Sequence, residues 1–446
     1  MKGNKYLFWI VFVAVNGGLL FGLNMAGIAG ANSMIQSQFS LGESQLGFVA
    51  SSLMLGCLLG ALFTGRYAER YGRKKVMVVT ALLYILGAIG CALSNGFILL
   101  TLFRIISGCA VGAASVVVPM YVAEVSPVAK RGALVSLNQL AITIGILIAY
   151  VADYFLLDSG SNAWRYMLAV PAIFGLLFLF CLNILFPESP RWLLAKGRRD
   201  DAIIVLKKIN GDRDIDKDLA DIESAIAADK QQQKASFKQL FTGKIGRIVF
   251  IGTMIAVFQQ ITGINAVFIF VPDIFKGAGV AGDTALLQSI LIGVVNILMT
   301  LLAVRLMDSL GRKTLLLWGA VGMTLSLAYL TYSFSQPDSS AIGILIALLA
   351  YIAFLAISFS PVMWVLLSEI YPGKVKGLAM SFSTAVSWAC GFLVVYLAPT
   401  IRASWGDSTL FGIFCVFSLL AFLFVKLLVP ETKGKSLEQI EREFGA

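Results

Sequence analysis

The chain has 446 residues, of which 58% are hydrophobic and 13% are charged, and its mean hydropathy is +0.85. Because soluble domains carry about 25% charged residues, this composition excludes an ordinary soluble protein and indicates a chain solvated by lipid. The net charge of +10 does not indicate a nucleic-acid partner, because nearly all basic residues fall in loops expected on one side of a membrane.

Apolar stretches long enough to cross a bilayer, which takes about 20 residues, recur along nearly the whole chain. We predict twelve spans, at residues 6–30, 45–65, 75–95, 97–121, 133–155, 164–186, 246–275, 285–307, 314–335, 341–368, 376–400 and 409–429. The first is too long for a signal peptide and lacks a small-residue cleavage site. With the N-terminus inside, Lys and Arg concentrate on the cytoplasmic side, which predicts that both termini are cytoplasmic.

The six cysteines are scattered through the apolar stretches without a CxxC spacing, and the chain contains no histidine. The sequence therefore gives no indication of a disulfide framework, a metal site or a cofactor. An intramembrane enzyme would need a nucleophile with a base or a set of metal ligands, so the sequence argues against an enzyme. A channel is disfavoured because no charge ring and no filter repeat occurs.

Three sequence elements occur twice, at an offset of roughly 240 residues. They are GRYAERYGRKK at 65–75 and VRLMDSLGRKT at 304–314, EVSPVAKRG at 124–132 and EIYPGKVKG at 369–377, and PESPRWLL at 187–194 and PETKGKSL at 430–437. Three pairs at one offset indicate a duplicated six-helix unit, which is typical of carriers that work by alternating access. The predicted parts are an N-terminal bundle at 1–186, a cytoplasmic linker with short helices at 187–245, a C-terminal bundle at 246–429 and a cytoplasmic tail at 430–446.

The duplicated elements carry acidic and basic residues that are predicted to lie at the cytoplasmic ends of the spans. Such groups are able to form ion pairs that close the inner face in one state and break in another. The alternative is static salt bridges worth about 0–1 kcal/mol each. The residues assigned to this network are Arg66, Glu69, Arg73, Glu124, Arg131, Glu188, Arg191, Arg305, Asp308, Arg312, Glu369 and Glu431.

Together these elements resemble the signatures of the sugar porter family within the major facilitator superfamily. The family's patterns are matched in order by GRYAERYGRKK at 65–75, PMYVAEVSPVAKRG at 119–132, PESPRWL at 187–193, QQITGIN at 259–265, PVMWVLLSEIYP at 361–372 and PETKG at 430–434. The resemblance covers residues 17–440. It implies an all-α integral membrane fold, with twelve helices in two six-helix bundles, that carries a monosaccharide, either a hexose or a pentose.

Polar residues inside the predicted spans form the candidate sugar site. Amides offer donors and acceptors for vicinal hydroxyls, and because no charge is offered, an uncharged polyol fits better than an amino acid or an organic anion. For a lone amide, bonding between helices is the competing role. The resemblance assigns the site to Gln139, Gln259, Gln260, Asn265, Asn296 and Trp364, and Trp388 is added as a stacking face.

Three positions qualify this assignment. Ile269 and Phe270 stand where many family members have two tyrosines, and Ser387 stands where an amide precedes the tryptophan. The change at 269–270 and the change at 387 both remove polar groups that could contact sugar, so the resemblance does not identify the sugar.

Pro361 lacks an amide N–H and should weaken its span, which predicts a hinge beside the candidate site.

The sequence departs from proton-coupled family members at Asn24, where they carry an aspartate that works beside an arginine matching Arg104. Both residues lie about 10 Å from the outer ends of their spans, so the pair can meet. Asp153 and Asp273 approach spans only at their outer ends. Because asparagine cannot bind and release a proton, we predict facilitated diffusion, with Arg104 hydrogen-bonded to Asn24 or to carbonyls. An unpaired intramembrane arginine costs about 2.5–3.5 kcal/mol on insertion scales.

Three alternatives stay open on the sequence. Asn24 could be an engineered substitution in a proton symporter, Asp153 could carry a proton from the outer mouth, or the chain could be a sugar sensor, against which its short tail argues. The expected partners are the sugar and the lipid bilayer, with no nucleic acid and no second subunit. Short loops and the absence of an N-x-[ST] site favour a bacterial inner membrane.

Overall fold

The computed structural model describes residues 2–127, 131–184, 186–211, 215–231, 237–337, 340–372 and 375–433, and these residues contain helices and no strand. The first half comprises α1 (Lys2–Ala26), α2 (Asn32–Gln38), α3 (Glu43–Tyr71), α4 (Arg73–Ala92), α5 (Phe97–Val125), α6 (Arg131–Leu156) and α7 (Ala163–Ile184). The linker comprises α8 (Pro190–Ala195), α9 (Arg199–Asn210), α10 (Asp216–Gln231) and a 3₁₀ turn, Phe237–Phe241. The second half comprises α11 (Gly243–Ile261), α12 (Ile264–Gly277), α13 (Gly282–Leu310), α14 (Arg312–Ser335), α15 (Ala341–Ile357), α16 (Phe359–Ile370) and α17 (Lys376–Leu428).

Eleven helical stretches among the described residues are long and apolar enough to cross a membrane. The last of them, α17, has 53 residues, which would measure about 80 Å as a straight helix against a hydrocarbon thickness of about 30 Å. Gly406 interrupts it with φ 81° and ψ 164°, outside the helical region. The stretch therefore contains two spans joined without a loop, and the chain has the twelve spans that the sequence predicts.

Two spans are broken in the middle. The span formed by α11 and α12 turns at Gly263, whose φ is 98° and where a Cβ atom would lie 2.5 Å from the Phe414 ring. The span formed by α15 and α16 is interrupted at Ser358, three residues before Pro361. Proline fits there because the N–H groups of the first helical turn have no acceptor within the helix, so proline removes no hydrogen bond. The predicted weakness at Pro361 is confirmed as a helix break, and both breaks expose backbone groups inside the bundle.

The two halves pack on each other mainly through α3 with α17 and α6 with α13. We call the end of the bundle that carries α8–α10 the linker end and the opposite end the far end. Hydrogen bonds between the halves cluster toward the far end. They run from Asn32 Nδ2 to the Ile269 carbonyl (2.9 Å), from Ser33 Oγ to Asp273 (2.9 Å), between the Ser44 and Tyr396 hydroxyls (2.9 Å), and from the Tyr150 hydroxyl to the Phe268 carbonyl (2.8 Å). These bonds close the far end of the bundle.

Several helices extend beyond the predicted apolar stretches. The element at 65–75, predicted as a loop, continues α3 as far as Tyr71, and only Gly72 separates it from α4. Hydropathy marks the part of a helix that lipid surrounds, whereas hydrogen bonding continues into the aqueous phase. The predicted linker helices are present, and residues 434–446 of the predicted tail lie outside the described part of the chain.

Candidate functional site

The break between α11 and α12 places a first group of amide side chains in contact. Gln260 Nε2 donates a hydrogen bond to Ser387 Oγ on α17 (3.1 Å). Gln260 Oε1 accepts one from Asn265 Nδ2 on the other side of the break (2.6 Å). All three side chains are buried. Ser387, which replaces an amide of the family, therefore still provides a polar contact, because its hydroxyl accepts the Gln260 hydrogen bond.

The neighbouring amide, Gln259, points to the other broken span. Its Nε2 donates to the backbone carbonyls of Phe359 (3.1 Å) and Ser360 (3.3 Å), which the interruption at Ser358 leaves available. Ser360 Oγ in turn accepts a hydrogen bond from Gln139 Nε2 on α6 (3.2 Å). Gln139 belongs to the first half of the chain, so this polar chain crosses from one half to the other.

An aromatic wall borders these amides. Trp388 follows Ser387 on α17, is buried, and meets Phe21 of α1 edge to face with ring centroids 5.9 Å apart. Its indole Nε1–H is buried and has no acceptor among the described residues. Trp364 lies one helical turn beyond Ser360 on α16 and is half-buried. The wall therefore combines an apolar face with one donor that lacks a partner.

The predicted site residues do not all meet. Gln260 is hydrogen-bonded to Asn265, and Gln259 and Gln139 both bond to Ser360; because Gln259 and Gln260 are adjacent in the chain, these four amides form one cluster. Asn296 is buried on α13 without a hydrogen bond to this amide cluster among the described residues. Ser360 and Phe21 belong to the site although the sequence did not predict them. Ser360 could have been found from its place beside Pro361, but Phe21 looks like any apolar residue of a span.

The predicted pair in the first bundle, Asn24 and Arg104, does meet, through the backbone. Arg104 Nη1 donates to the Asn24 carbonyl oxygen (3.1 Å) and Nη2 to the Ala50 carbonyl oxygen (3.2 Å). The Asn24 side chain instead donates to the Leu20 carbonyl of its own helix (2.8 Å). Arg104 is 2% exposed, and among the described residues it has no salt bridge. The expectation of an arginine bound to carbonyls agrees with this geometry.

Asp153 lies near the far end of α6, as predicted, but it is shut off from water with 1% exposure. Its Oδ2 accepts a hydrogen bond from the Gly30 N–H (2.9 Å), and its Oδ1 has no partner among the described residues. Asp273 differs because it shares the interface between the halves with Ser33 and Lys276. Asp153 is thus a buried acid without a cation beside it.

The charged elements of the first half form a compact unit at the linker end. Arg73 makes an ion pair with Glu124 (2.6 Å), and the backbone N–H groups of Arg73 (2.9 Å) and Lys74 (3.2 Å) donate to Glu188. Glu188 therefore caps the N-terminus of α4, where a carboxylate is favoured. Burial raises the pKa of the Glu188 carboxyl, and the hydrogen bonds from the backbone N–H groups of Ser189, Lys74 and Arg73, together with the Arg73 charge, oppose that rise. Gly72, with φ 102°, lies against the same carboxylate.

The second half repeats this unit. Arg312 pairs with Glu369 (2.7 Å), and the N–H groups of Arg312 (3.0 Å) and Lys313 (3.0 Å) donate to Glu431. Gly311 has φ 90° and lies against that carboxylate, as Gly72 does in the first half. The internal sequence repeat is therefore a repeat of three-dimensional structure.

The predicted twelve-residue network is not one network. The ion pairs of the two units each lie within one half, and Arg66, Glu69 and Arg305 are exposed and form no ion pair among the described residues. Glu69 contributes only its carbonyl, to Trp192 Nε1 (3.0 Å). Arg191 is half-buried on α8. The side chains of Arg131 and Asp308 lie outside the described part of the structure.

Comparison with known proteins agrees with this architecture. The family model described as "Sugar (and other) transporter" matches residues 10–444. The major myo-inositol transporter of Bacillus subtilis is 38% identical over 455 residues, covering 100% of this chain and 96% of the relative. The D-xylose-proton symporter of Escherichia coli K12 is 36% identical over 476 residues (98% and 96%), and the glucose transporter of Staphylococcus epidermidis is 36% identical over 446 residues (99% and 98%).

Solved structures of the Escherichia coli xylose transporter superpose on nearly the whole chain. Its partially occluded inward open conformation gives a TM-score of 0.86 at 34% identity, covering 97% of this chain and 100% of that one. Its inward open conformation also gives 0.86, at 33% identity, covering 98% and 99%. The family's members are carriers and not enzymes. The chain therefore belongs to the sugar porter family of the major facilitator superfamily, and it is a multi-pass membrane transporter of sugars.

Proposed function

We propose that this protein is a monosaccharide facilitator, which moves a hexose or a pentose down its gradient by alternating access. The observation that carries the proposal is the bonding of Arg104, whose guanidinium donates to the carbonyls of Asn24 and Ala50 and to no carboxylate among the described residues. A proton symporter needs a group in the pathway that binds and releases a proton, and neither asparagine nor arginine does so at physiological pH.

The buried amide cluster supports a sugar as the cargo. Gln259, Gln260 and Asn265 combine donors and acceptors, and Trp388 adds an apolar face with an N–H for which the described residues offer no acceptor. A buried donor without an acceptor costs about 1–3 kcal/mol, which a sugar hydroxyl would recover. The names of the relatives specify xylose, glucose and myo-inositol, and all three are uncharged polyols.

The distribution of Lys and Arg supports a proposed orientation of the protein in the membrane. Lys and Arg concentrate at the linker end, so we place that end and both termini in the cytoplasm, with the far end outside. The closed far end then corresponds to a carrier whose sugar site opens inward, and the bacterial relatives favour an inner membrane. The two halves of one chain together supply the amide chain from Gln139 to Ser360, which supports transport by a monomer.

Counterflow into proteoliposomes tests the proposal directly. With radiolabelled glucose, xylose and myo-inositol, we expect exchange of at least one of them. When a proton gradient is imposed, we expect no net accumulation above the external concentration and no effect of a protonophore. The variant Asn24→Asp places a carboxyl beside Arg104 and should make net uptake depend on external pH. Accumulation that a protonophore abolishes in the unmodified chain would contradict facilitated diffusion, and no exchange of any sugar would contradict transport.

A second candidate function is proton symport through Asp153, because this acid is buried with one oxygen unpaired. Asp153→Asn preserves the shape of the side chain and the acceptor for the Gly30 N–H. If the protein is a facilitator, we expect the variant to exchange sugar at the unmodified rate at acidic and neutral pH. If Asp153 couples sugar to protons, exchange persists but proton-driven accumulation disappears. Accumulation measured in parallel with Asn24→Asp separates the two sites.

A further inference from the structure

A small cavity lies beside the buried arginine of the first bundle. Its volume is about 10 Å³, which suits one water-sized species. The polar residues of its lining are Asn24, Arg104 and Ser107, together with the thiol of Cys91, and the remaining lining is apolar. The cavity thus adjoins the coupling position of the family but is distinct from the amide cluster on α11 and α12.

The guanidinium at this cavity has unused hydrogen-bonding capacity. Nη1 and Nη2 each donate to a backbone carbonyl, whereas Nε is buried and has no acceptor among the described residues. A carbonyl oxygen satisfies a donor without neutralising its charge. The positive charge of Arg104 therefore stays uncompensated at 2% exposure.

No acid of the described chain performs that neutralisation. Asp153 is the acid that is buried in this part of the protein, and its hydrogen bond goes to the Gly30 N–H. Arg104 takes part in no salt bridge among the described residues. An unpaired charge in a low-dielectric interior is costly, and a counter-charge at hydrogen-bond distance recovers much of that cost.

We infer that this cavity binds a small monovalent anion, chloride being the abundant one, as the counter-ion of Arg104. The Arg104 Nε–H and the Ser107 hydroxyl supply the hydrogen-bond donors, and the guanidinium supplies the charge. A water molecule would fit the volume and accept from Nε, but it would leave the charge uncompensated. The anion occupies the role that a carboxylate at position 24 would fill.

Thermal unfolding of the full-length protein in detergent tests this inference without reference to sugar. A ligand that binds the folded state raises the melting temperature as its concentration exceeds its dissociation constant, here by about 1–2 °C for each tenfold rise in chloride. Sodium gluconate at the same ionic strength is the control, because gluconate is too large for the cavity. We expect the rise in chloride and a flat response in gluconate.

Asn24→Asp is the diagnostic variant, because its own carboxylate would neutralise Arg104 and exclude a second anion. Its melting temperature should respond equally to chloride and gluconate. A chloride response retained in Asn24→Asp, or an equal response to both salts in the unmodified chain, would overturn the inference. These outcomes do not depend on whether the carrier couples sugar to protons, because the protein in detergent experiences no proton gradient.

Crystals soaked in sodium bromide give a second test that requires no variant. An anomalous peak within hydrogen-bond distance of Arg104 Nε supports the anion site. Density there that shows neither a bromide signal after soaking nor a chloride signal in an unsoaked crystal measured at long wavelength identifies water and refutes the inference.

Discussion

Replacing Gln260 by alanine is expected to lower the rate of sugar counterflow by at least about tenfold and to raise the dissociation constant of the sugar by a similar factor. The side chain donates to Ser387 and accepts from Asn265, so its removal leaves two buried polar groups without their partner. In the proposed site the Gln260 amide also bonds a sugar hydroxyl, and the loss of such a bond costs about 1–3 kcal/mol, of which 1.4 kcal/mol corresponds to a factor of ten in binding. Counterflow with the transported sugar and calorimetric titration in detergent measure the two effects.

A matched control is available in the same chain. Asn183 is an intramembrane amide on α7 that is exposed at the bundle surface and donates to the Leu179 carbonyl of its own helix (2.9 Å). Asn183→Ala should leave both counterflow and sugar affinity unchanged. If Gln260→Ala retains the affinity of the unmodified chain, or if Asn183→Ala loses it, the amide cluster is a structural element and not the sugar site.

The spans and their duplication could be predicted from the sequence because both depend on local composition. Lipid requires an apolar stretch of fixed length, and the repeated Gly-Arg elements at 72–73 and 311–312 mark equivalent corners of the two halves. The limits of the helices could not be predicted in the same way. The apolar composition ends at the edge of the lipid, but the helices themselves continue. α3 extends to Tyr71, and the first part of α17 extends to the interruption at Gly406.

The members of the amide cluster could be predicted one by one, but not their partners. Gln259 donates to the carbonyls of Phe359 and Ser360 because the break at Ser358 frees those carbonyls. Proline at position 361 indicates a weak point in the span but not which carbonyls become available. Phe21 joins the site because α1 passes close to α17, and a local pattern does not encode that contact.

The charged network shows the limit of a prediction based on repetition. Repetition identified Arg73 and Arg312 correctly as equivalent, but it also included Arg66 and Arg305, which the structure leaves exposed. What distinguishes them is the left-handed glycine before Arg73 and Arg312, which turns the chain so that one arginine faces two carboxylates. The sequence alone does not make this distinction, because Gly65 also precedes Arg66 but lies inside α3 with a helical backbone.

Removing the paired arginine of either charged unit, Arg73 or Arg312, is expected to destabilise the protein strongly. Arg73→Ala leaves Glu124 without its ion-pair partner and Glu188 without a neighbouring cation, and breaking a buried pair costs about 3–5 kcal/mol. Arg312→Ala should have a comparable but smaller effect, because the Glu369 side chain is 27% exposed and Glu124 only 9%. Lysine should not restore stability at either position, since it cannot bind a carboxylate in two places. The midpoint of thermal unfolding in detergent measures these differences, with Arg66→Ala as the exposed control.

The same variants decide whether the two charged units act only as supports. Each unit ties together elements of one half and lies at the linker end, away from the amide cluster. We therefore expect Arg73→Ala and Arg312→Ala to leave the sugar dissociation constant of the folded protein unchanged, in contrast to Gln260→Ala. If the units also stabilise one state of the transport cycle, counterflow per folded molecule falls while affinity stays constant. Equal stability of Arg73→Ala and Arg66→Ala would show that the buried pair does not hold the first half together. Unchanged counterflow in Arg73→Ala and Arg312→Ala would restrict both units to a structural role.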